Sequence, residues 1–274
     1  SPIREALGIG RTGRGYMKTL RSVLFRAPLE EYLQSGVFQF NIDQDGFSAF
    51  LTTYGDNRWV LMLSDDEERD EHELRELVIK AIGRSDIEVE LLVSGRWELS
   101  ALIADHFSTG NIFLVGDAAH TLPPNRGGFG ANTGIEDAHN LAWKLAAVLD
   151  GTSSPPLLDS YDAERRPVAW LRHDQIFART DYKAQADATI KNSPILDDQA
   201  IEFGQLYRSS AIADSRNTEL VPAKRPDEWA GQPGTRAPHL WVNQGDSRIS
   251  TLDLFQRGWV LLVEDERWNS AAIH

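Results

Sequence analysis

The sequence contains no cysteine, so disulfide bonds, thiolate metal sites and thiol redox chemistry are excluded. It also lacks long apolar runs. The longest, such as residues 259–263, are much shorter than the roughly 20 residues that a membrane-spanning helix needs, and the first residues do not resemble the apolar core of a signal peptide. The sequence therefore predicts a cytoplasmic protein that is not inserted in a membrane.

Positive charge is scarce as well. The 274 residues include 28 Lys and Arg against 41 Asp and Glu, which gives a net charge of -13, and no basic patch interrupts this excess. Such a charge repels nucleic acid backbones and anionic membranes, so neither is a predicted partner. Hydrophobic residues make up 41% of the chain, enough for one large core or two modest ones.

The first region, residues 1–97, has the pattern of an antiparallel sheet. Residues 38–42 alternate apolar with polar side chains, as a strand with one buried face does. Residues 46–54 and 59–63 flank the turn Gly55-Asp56-Asn57, which predicts a β-hairpin. The acidic stretch that follows leads into a helical pattern whose charged side faces solvent and whose apolar side is formed by Leu74, Leu77, Val78 and Ala81.

The second region, residues 98–183, has an apolar run at 111–115 that ends in Gly-Asp. This is typical of a strand buried on both faces of a parallel or mixed sheet, whose ligands bind beyond the carboxyl ends of the strands. A helix is predicted to begin near Thr133, with Thr133 and Glu136 as a capping box, and to end at Gly151. Its apolar side chains at helical spacing are Ile135, Ala138, Leu141, Ala142, Leu145 and Leu149.

A glycine-rich loop leads directly into this helix. Free N–H groups at a helix start, together with glycines that lack a Cβ, suit a flat or anionic ligand, and Asp117 is placed to accept hydrogen bonds from its hydroxyl groups. The alternative is that Asp117 only caps a turn and the glycines only permit it. The loop lacks the Gly-Lys-Ser/Thr ending of a P-loop. Asp117 and His120 are too few ligands to predict a metal site.

Several blocks in order resemble the second flavin-binding motif of the FAD-dependent aromatic hydroxylases, the single-component monooxygenases related to para-hydroxybenzoate hydroxylase. The blocks are residues 116–120, 123–124, 127–135, 142–146 and 161–167. Within that family the similarity is greatest to bacterial enzymes that tailor polyketide or indole-derived natural products. The resemblance implies a mixed α/β fold in which residues 98–183 are part of a Rossmann-like FAD-binding domain and residues 1–97 are mainly a substrate-binding antiparallel sheet domain.

The resemblance also implies the cofactor and its contacts. Asp117 would bind the ribityl chain of FAD, the helix start would face N1 and the C2 carbonyl of the flavin ring, and the carbonyl of Pro124 would border the oxygen-transfer site. Arg126 is either close to the flavin or the substrate, or a solvated loop side chain. The residues expected to contact FAD are Gly116, Asp117, Pro123, Pro124, Gly127, Gly128, Phe129, Gly130, Ala131 and Asn132.

The reaction implied is hydroxylation of a small aromatic substrate that is polyketide-, phenol- or indole-derived. NAD(P)H would reduce FAD, oxygen would add to give a flavin hydroperoxide, and the distal oxygen would be transferred to the ring. No side chain is identified as a general base. Aromatic residues of the sheet are either the wall of the substrate pocket or ordinary core; these are Phe38, Phe40, Phe47, Phe50 and Trp97.

The ends of the chain depart from the family pattern. Relatives begin with a strand, a Gly-x-Gly-x-x-Gly turn and a helix for the ADP half of FAD, and this sequence has no such unit, so we expect this chain alone to bind FAD weakly and to be marginally stable. Residues 184–230 are expected to be a connecting segment. Residues 231–274 resemble the beginning of a thioredoxin-like domain with a structural role or a role in a homodimer. The alternative functions are a non-catalytic flavin-binding relative and an interaction module.

Overall fold

The computed structural model describes residues 1–33, 36–124, 128–213, 219–229, 231–255, 258–263 and 267–268. Its contacts divide the chain into two units. The sheet unit consists of Ile9–Asp105 and His120–Pro123, and the helical unit consists of Ser1–Gly8, His106–Ala119 and Pro124–His274. The domain limit expected at residue 97 falls inside a strand that continues to Ala104.

The secondary structure of the described residues mixes helices and antiparallel strands, as expected. The helices are α1 (Pro2–Ala6), α2 (Glu71–Ile82), α3 (Phe129–Leu149), α4 (Ser160–Ala178), α5 (Ala188–Lys191) and α6 (Asp198–Phe203). The strands are β1 (Arg11–Arg26), β2 (Gln39–Gln44), β3 (Phe47–Gly55), β4 (Arg58–Ser64), β5 (Glu90–Ala104), β6 (Ser108–Thr109), β7 (Ile112–Phe113), β8 (His120–Thr121), β9 (Trp241–Gln244) and β10 (Ser247–Ser250). In the part of the chain that is described, no helix has both the length and the hydropathy to cross a bilayer.

The sheet unit is built on one antiparallel sheet with the order β2-β3-β4-β1-β5-β8. The predicted hairpin is confirmed: β3 and β4 pair up to Gly55 and Arg58, and the two residues between them, Asp56 and Asn57, have φ angles of 52° and 58°. Both central residues with positive φ are the mark of a type I′ turn, whose twist matches that of the strands. Local turn chemistry thus sets the register of this hairpin.

Helix α2, which the spacing of its apolar residues predicted, covers one face of the sheet. Asp70 and Glu73 form a reciprocal capping box at its start, and Gly83 in the left-handed conformation ends it. The apolar side of the helix, with Leu74, Val78 and Ala81 buried, packs into a core with side chains of β1, β3 and β4. The amphipathic spacing was sufficient to predict this helix because its partner is a plain apolar surface.

The five aromatic residues proposed for a pocket wall lie on both faces of the sheet. Phe40 and Phe47 pack in the core under α2, so they are not available to a substrate on the opposite face. Phe50 and Trp97 lie on that opposite face, where the Trp97 indole N–H donates to Ser22 Oγ at 2.8 Å. Phe38, before β2, is 59% exposed.

The run at 111–115 does not form the strand expected in a parallel or mixed sheet. Within this run only Ile112 and Phe113 form a paired strand, which lies antiparallel to β6. Leu114 is buried and its N–H donates to Phe107 O at 2.8 Å, whereas Ile112 is 42% exposed. An apolar run predicts burial but not the pairing partner, and here the described partner is the short strand immediately before it.

The C-terminal region contains a pair of short strands that the sequence did not predict. Strands β9 and β10 form an antiparallel hairpin. The apolar run at 259–263 has no regular secondary structure, and Leu261 is 55% exposed. The thioredoxin-like assignment of this region stays a prediction.

A buried ion pair makes the stability of the sheet unit depend on pH. Asp65 accepts hydrogen bonds from Arg69, at 2.9 and 3.1 Å, and from Arg21, at 2.6 Å. The arginines, Arg69 foremost, lower the pKa of Asp65 to about 2. Because this pKa is lower in the folded than in the unfolded chain, the stabilisation is present above pH 4 and is lost as the pH falls toward 2.

Between pH 5 and pH 2 we expect Asp65 to account for a loss of about 2 kcal/mol in the free energy of unfolding of the sheet unit. Asp65→Asn removes this titration, so urea unfolding of the variant should depend less on pH by that amount. Asp66→Asn, at an exposed neighbouring carboxylate, is the control and should keep the wild-type dependence. Equal pH profiles for Asp65→Asn and the wild type would contradict the assignment.

Candidate functional site

The Gly-Asp turn that follows β7 holds an exposed carboxylate on a fixed backbone. Gly116 has a φ of 58°, and Gly116–Ala118 form a 3₁₀ turn in which Asp117 is exposed. The Arg4 side chain, itself 2% exposed, donates to Ala118 O at 3.0 Å. The main chain on both sides of Asp117 is therefore anchored, while its carboxylate stays open to a ligand.

Helix α3 approaches this turn as closely as glycine permits. A Cβ placed on Gly134 would lie 3.1 Å from the Cα of Gly116, closer than ordinary van der Waals contact. The Gly116 N–H also donates to Asp137 Oδ2 at 3.3 Å. Glycine is favoured at 134 because a Cβ would crowd the main chain of Gly116, and at 116 because φ is positive there.

The start of α3 differs from the prediction in a way that strengthens it as an anion site. The helix begins at Phe129, not near Thr133, and its N-cap is Gly128 with a φ of 62° and no capping side chain. The predicted capping box is wrong: Thr133 lies inside the helix and donates to Phe129 O at 2.5 Å. Among the described residues no side chain caps this helix start, so its first N–H groups, with the positive end of the helix dipole, can bind a ligand.

The residues expected to contact FAD are distributed around these two features. Gly116, Asp117 and Pro124 belong to the helical unit, as do Gly128, Phe129, Gly130, Ala131 and Asn132, whereas Pro123 is assigned to the sheet unit. Gly127, and with it Arg126, lies outside the described residues.

Two of these residues use their side chains within the protein. The Phe129 ring is 1% exposed and lies beside the guanidinium groups of Arg172 and Arg179. The Asn132 side chain hydrogen-bonds with Glu202, whose carboxyl pKa is raised by burial. Their contribution to a ligand site would therefore come from the main chain.

The face that α3 buries is polar, and the sequence did not reveal this. The predicted apolar stripe is mostly wrong: Ile135 is 68% exposed and Leu149 83% exposed, and only Leu141 of that stripe is buried. The residues that α3 buries are Phe129, Thr133, Asp137, Asn140, Leu141 and Lys144. Those polar residues also recur at helical spacing, but polar residues in such a stripe usually indicate a solvated face, so the pattern does not predict their burial.

Helix α4 supplies the opposite charges. Arg165, fully buried, donates to Asp137 Oδ1 at 2.8 Å, to Glu136 Oε2 at 3.0 Å and to the Tyr207 hydroxyl at 2.7 Å. Arg172, also fully buried, donates to Glu136 Oε1 at 2.8 Å. Buried charges are tolerated only when paired and hydrogen-bonded, so these contacts fix α4 against the first turns of α3.

A second buried ion pair lies one to two turns further along α3. Lys144 Nζ donates to Glu164 Oε2 at 2.6 Å, and that carboxylate also accepts from Asn140 at 2.8 Å and from Ser209 at 2.7 Å. Burial lowers the pKa of the Lys144 ammonium, and the Glu164 carboxylate opposes that shift. The ion pairs between α3 and α4 thus extend from the Gly-Asp turn well into the helix.

Comparison with known proteins connects this geometry to a cofactor. A family model described as "FAD binding domain" matches residues 1–175. The tetracenomycin A2 monooxygenase-dioxygenase of Streptomyces glaucescens is 35% identical over 290 residues, covering 99% of this chain and 51% of the relative. The 4-methyl-5-nitrocatechol 5-monooxygenase of a Burkholderia species is 39% identical over 290 residues, covering 98% and 53%.

Solved structures agree with this match. The aklavinone-11 hydroxylase in a ternary complex with FAD and aklavinone superposes with a TM-score of 0.81 at 32% identity, over 94% of this chain and 49% of that chain. The rebeccamycin biosynthetic enzyme RebC with reduced flavin gives 0.75 at 34% identity, over 99% and 55%. The chain spans about half the length of the curated relatives it matches.

The residues present fit FAD. Bare backbone at Gly116 and Gly128, an uncapped helix start and an exposed carboxylate at Asp117 provide hydrogen-bond donors for an electron-rich ring and an acceptor for hydroxyl groups. The chain therefore belongs to the family of FAD-binding domains.

Proposed function

We propose that this chain provides the flavin-ring side of the FAD site in a monooxygenase that hydroxylates an aromatic substrate. The observation that carries the proposal is the uncapped start of α3 held against the Gly116–Asp117 turn. Relatives whose names include tetracenomycin A2, aklavinone and a nitrocatechol support an aromatic substrate of polyketide or phenolic type. NAD(P)H is the proposed reductant.

Each part of the site has a role in this proposal. The Asp117 carboxylate accepts hydrogen bonds from the ribityl hydroxyls, and the main-chain N–H groups at the start of α3 face the carbonyl edge of the ring. The Pro124 carbonyl borders the place where the substrate is oxygenated. FAD, when bound, supplies the redox chemistry and the activation of oxygen, and the chain binds, orients and shields it from water.

The electrostatics of the α3 start favour a ring that becomes anionic on reduction. A helix N-terminus carries about half a positive charge, and the acidic residues of the first turns would oppose it. Glu136 is neutralised by Arg165 and Arg172, and Asp137 by Arg165. These acidic residues therefore do not cancel the positive potential at the start of α3. That potential can stabilise negative charge on the reduced flavin ring without reorganisation of the protein.

The face of the sheet opposite α2 is the proposed wall of the aromatic-substrate pocket. Phe50 is half-buried and Trp97 is 37% exposed on that face, so both offer flat apolar surface that the core has not used. Phe40 and Phe47 are excluded from this role by their packing under α2.

Asp117→Ala tests the flavin site. Loss of a charged hydrogen-bond acceptor costs about 1.5–3 kcal/mol, so we expect the Kd for FAD to rise about 10- to 100-fold, measured by flavin fluorescence titration. Asp159→Ala is the control, because Asp159 is exposed in the same unit and makes no side-chain cap bond at the start of α4. Equal FAD affinity in the wild type and Asp117→Ala would remove Asp117 from the site.

A second measurement separates a hydroxylase from a flavin-binding relative without activity. The complete protein with FAD, NADPH and a polycyclic phenol should form an oxygenated product in proportion to NADPH consumed. NADPH oxidation that yields only hydrogen peroxide with every phenol tested, or no oxidation at all, would favour a role in binding alone.

A further inference from the structure

A tyrosine hydroxyl from the turn after α4 binds the main chain of the Pro123-Pro124 pair. Tyr182 Oη donates to Pro124 O at 2.8 Å. The Tyr182 ring packs edge-on against Phe177, with ring centroids 5.9 Å apart, and Phe177 is fully buried. Burial raises the pKa of the Tyr182 phenol, so the hydroxyl keeps its proton and remains a donor at neutral pH.

The hydrogen bond from Tyr182 matters because neither proline has a main-chain N–H that could donate a hydrogen bond and fix this segment. Proline lacks an N–H and fixes φ near −65°, which leaves ψ, and hence the direction of the carbonyl, to be set by other groups. Pro124 is exposed, so packing does not set that direction either. The hydroxyl of Tyr182 supplies a directed contact to this carbonyl.

The same segment of chain also holds the start of α3. Arg172 donates to Thr133 Oγ1 at 2.8 Å, and the guanidinium carbons of Arg172 and Arg179 lie 5.9 and 5.7 Å from the centre of the Phe129 ring. Arg179 is in turn held by Asp198 at 2.6 Å. Residues 172–182 therefore anchor both Pro124 and the first turn of α3, which flank the glycine-rich stretch.

We propose that Tyr182 is a positioning residue for the flavin site: its hydroxyl sets the direction of the Pro124 carbonyl beside the start of α3. The inference rests on the proposed function for its consequence at the flavin, but the hydrogen bond itself is a property of the chain without a ligand. Tyr182→Phe removes this one hydroxyl and keeps the ring packed on Phe177.

Hydrogen exchange of the ligand-free chain tests the bond. In Tyr182→Phe, peptides that cover residues 121–132 should exchange about 3- to 10-fold faster, the effect of losing one hydrogen bond, while peptides of β1 and β4 are unchanged. Tyr54→Phe is the control, since Tyr54 is 66% exposed in the sheet unit. Unchanged exchange at residues 121–132 in Tyr182→Phe would overturn the inference.

Titration with FAD tests the consequence. Tyr182→Phe should raise the Kd about 3- to 10-fold and should shift the absorption spectrum of the bound flavin, which a purely structural role would leave unchanged. A wild-type spectrum and affinity in the variant would overturn the role at the flavin. If the complete wild-type protein leaves FAD unbound, the proposed function and this role are both overturned, while the exchange rates still decide the hydrogen bond.

Discussion

Replacing Arg165 by methionine is expected to destabilise the helical unit by about 3–5 kcal/mol, the cost of removing one partner of a buried ion pair. Arg165 and Asp137 are both fully buried, and their side chains meet at 2.8 Å. Methionine fills part of the space but leaves the Asp137 carboxylate without its closest cation and Tyr207 without its donor. The unfolded chain gains no comparable penalty, because water solvates the carboxylate there.

Because the contacts of the chain form two units, a single unfolding curve need not be two-state and is a poor measure of this effect. Hydrogen exchange of peptides from α3 and α4 reports on the helical unit alone, and these peptides should lose protection in Arg165→Met while those of β1 and β4 keep it. Arg166→Met is the matched control one residue further along α4. The Arg166 side chain is 36% exposed in its ion pair with Asp162, so that change should cost about 1 kcal/mol or less.

A double variant sharpens the interpretation. Arg165→Met with Asp137→Asn also removes the charge of the carboxylate that has lost Arg165, so the double variant should be more stable than the sum of the two single changes implies. Equal losses of protection in Arg165→Met and Arg166→Met, or strict additivity in the double variant, would show that the α3–α4 contact does not depend on this pair.

Gly134→Val is expected to abolish most FAD binding, with a Kd raised about 30-fold or more. A Cβ on Gly134 would already lie 3.1 Å from the backbone of Gly116, and the two further methyl groups of valine have to displace the Gly116–Ala118 turn. Forcing additional carbons into a packed contact costs about 1–3 kcal/mol. The turn carries Asp117, so the displacement acts on the proposed ribityl contact directly.

The control for this variant separates the local clash from the helix propensity of valine. Ala138→Val places the same β-branched side chain on the exposed face of α3. It lowers helix propensity, which Gly134→Val does not, so an effect of propensity alone would be larger in the control. It should bind FAD like the wild type. Gly134→Ala should be intermediate, because its single Cβ requires a shift of a few tenths of an ångström. Wild-type FAD affinity in Gly134→Val would show that the close approach of α3 to the turn is not needed.

The sequence by itself determined the elements whose information is local. The β3–β4 hairpin follows from Asp56 and Asn57, which accept positive φ, and α2 follows from its capping box and from Gly83. The FAD-binding family was also evident, because the motif around Asp117 and Gly128 must keep particular residue types wherever the backbone touches a ligand. In these cases the local structure is determined by the conformational preference of each residue and by residues close to it in the sequence.

The tertiary structure decided which face of α3 is buried, where that helix begins, and what pairs with residues 111–115. The charged side chains of α3 are buried only because Glu164, Arg165 and Arg172 of α4 present matching partners, and the sequence of one helix cannot specify what the other offers. The helix starts at Phe129 because Gly128 in the left-handed conformation leads into it. Whether a charged side chain is buried depends on the side chains that pack against it from another element. It can therefore be determined only from the tertiary structure.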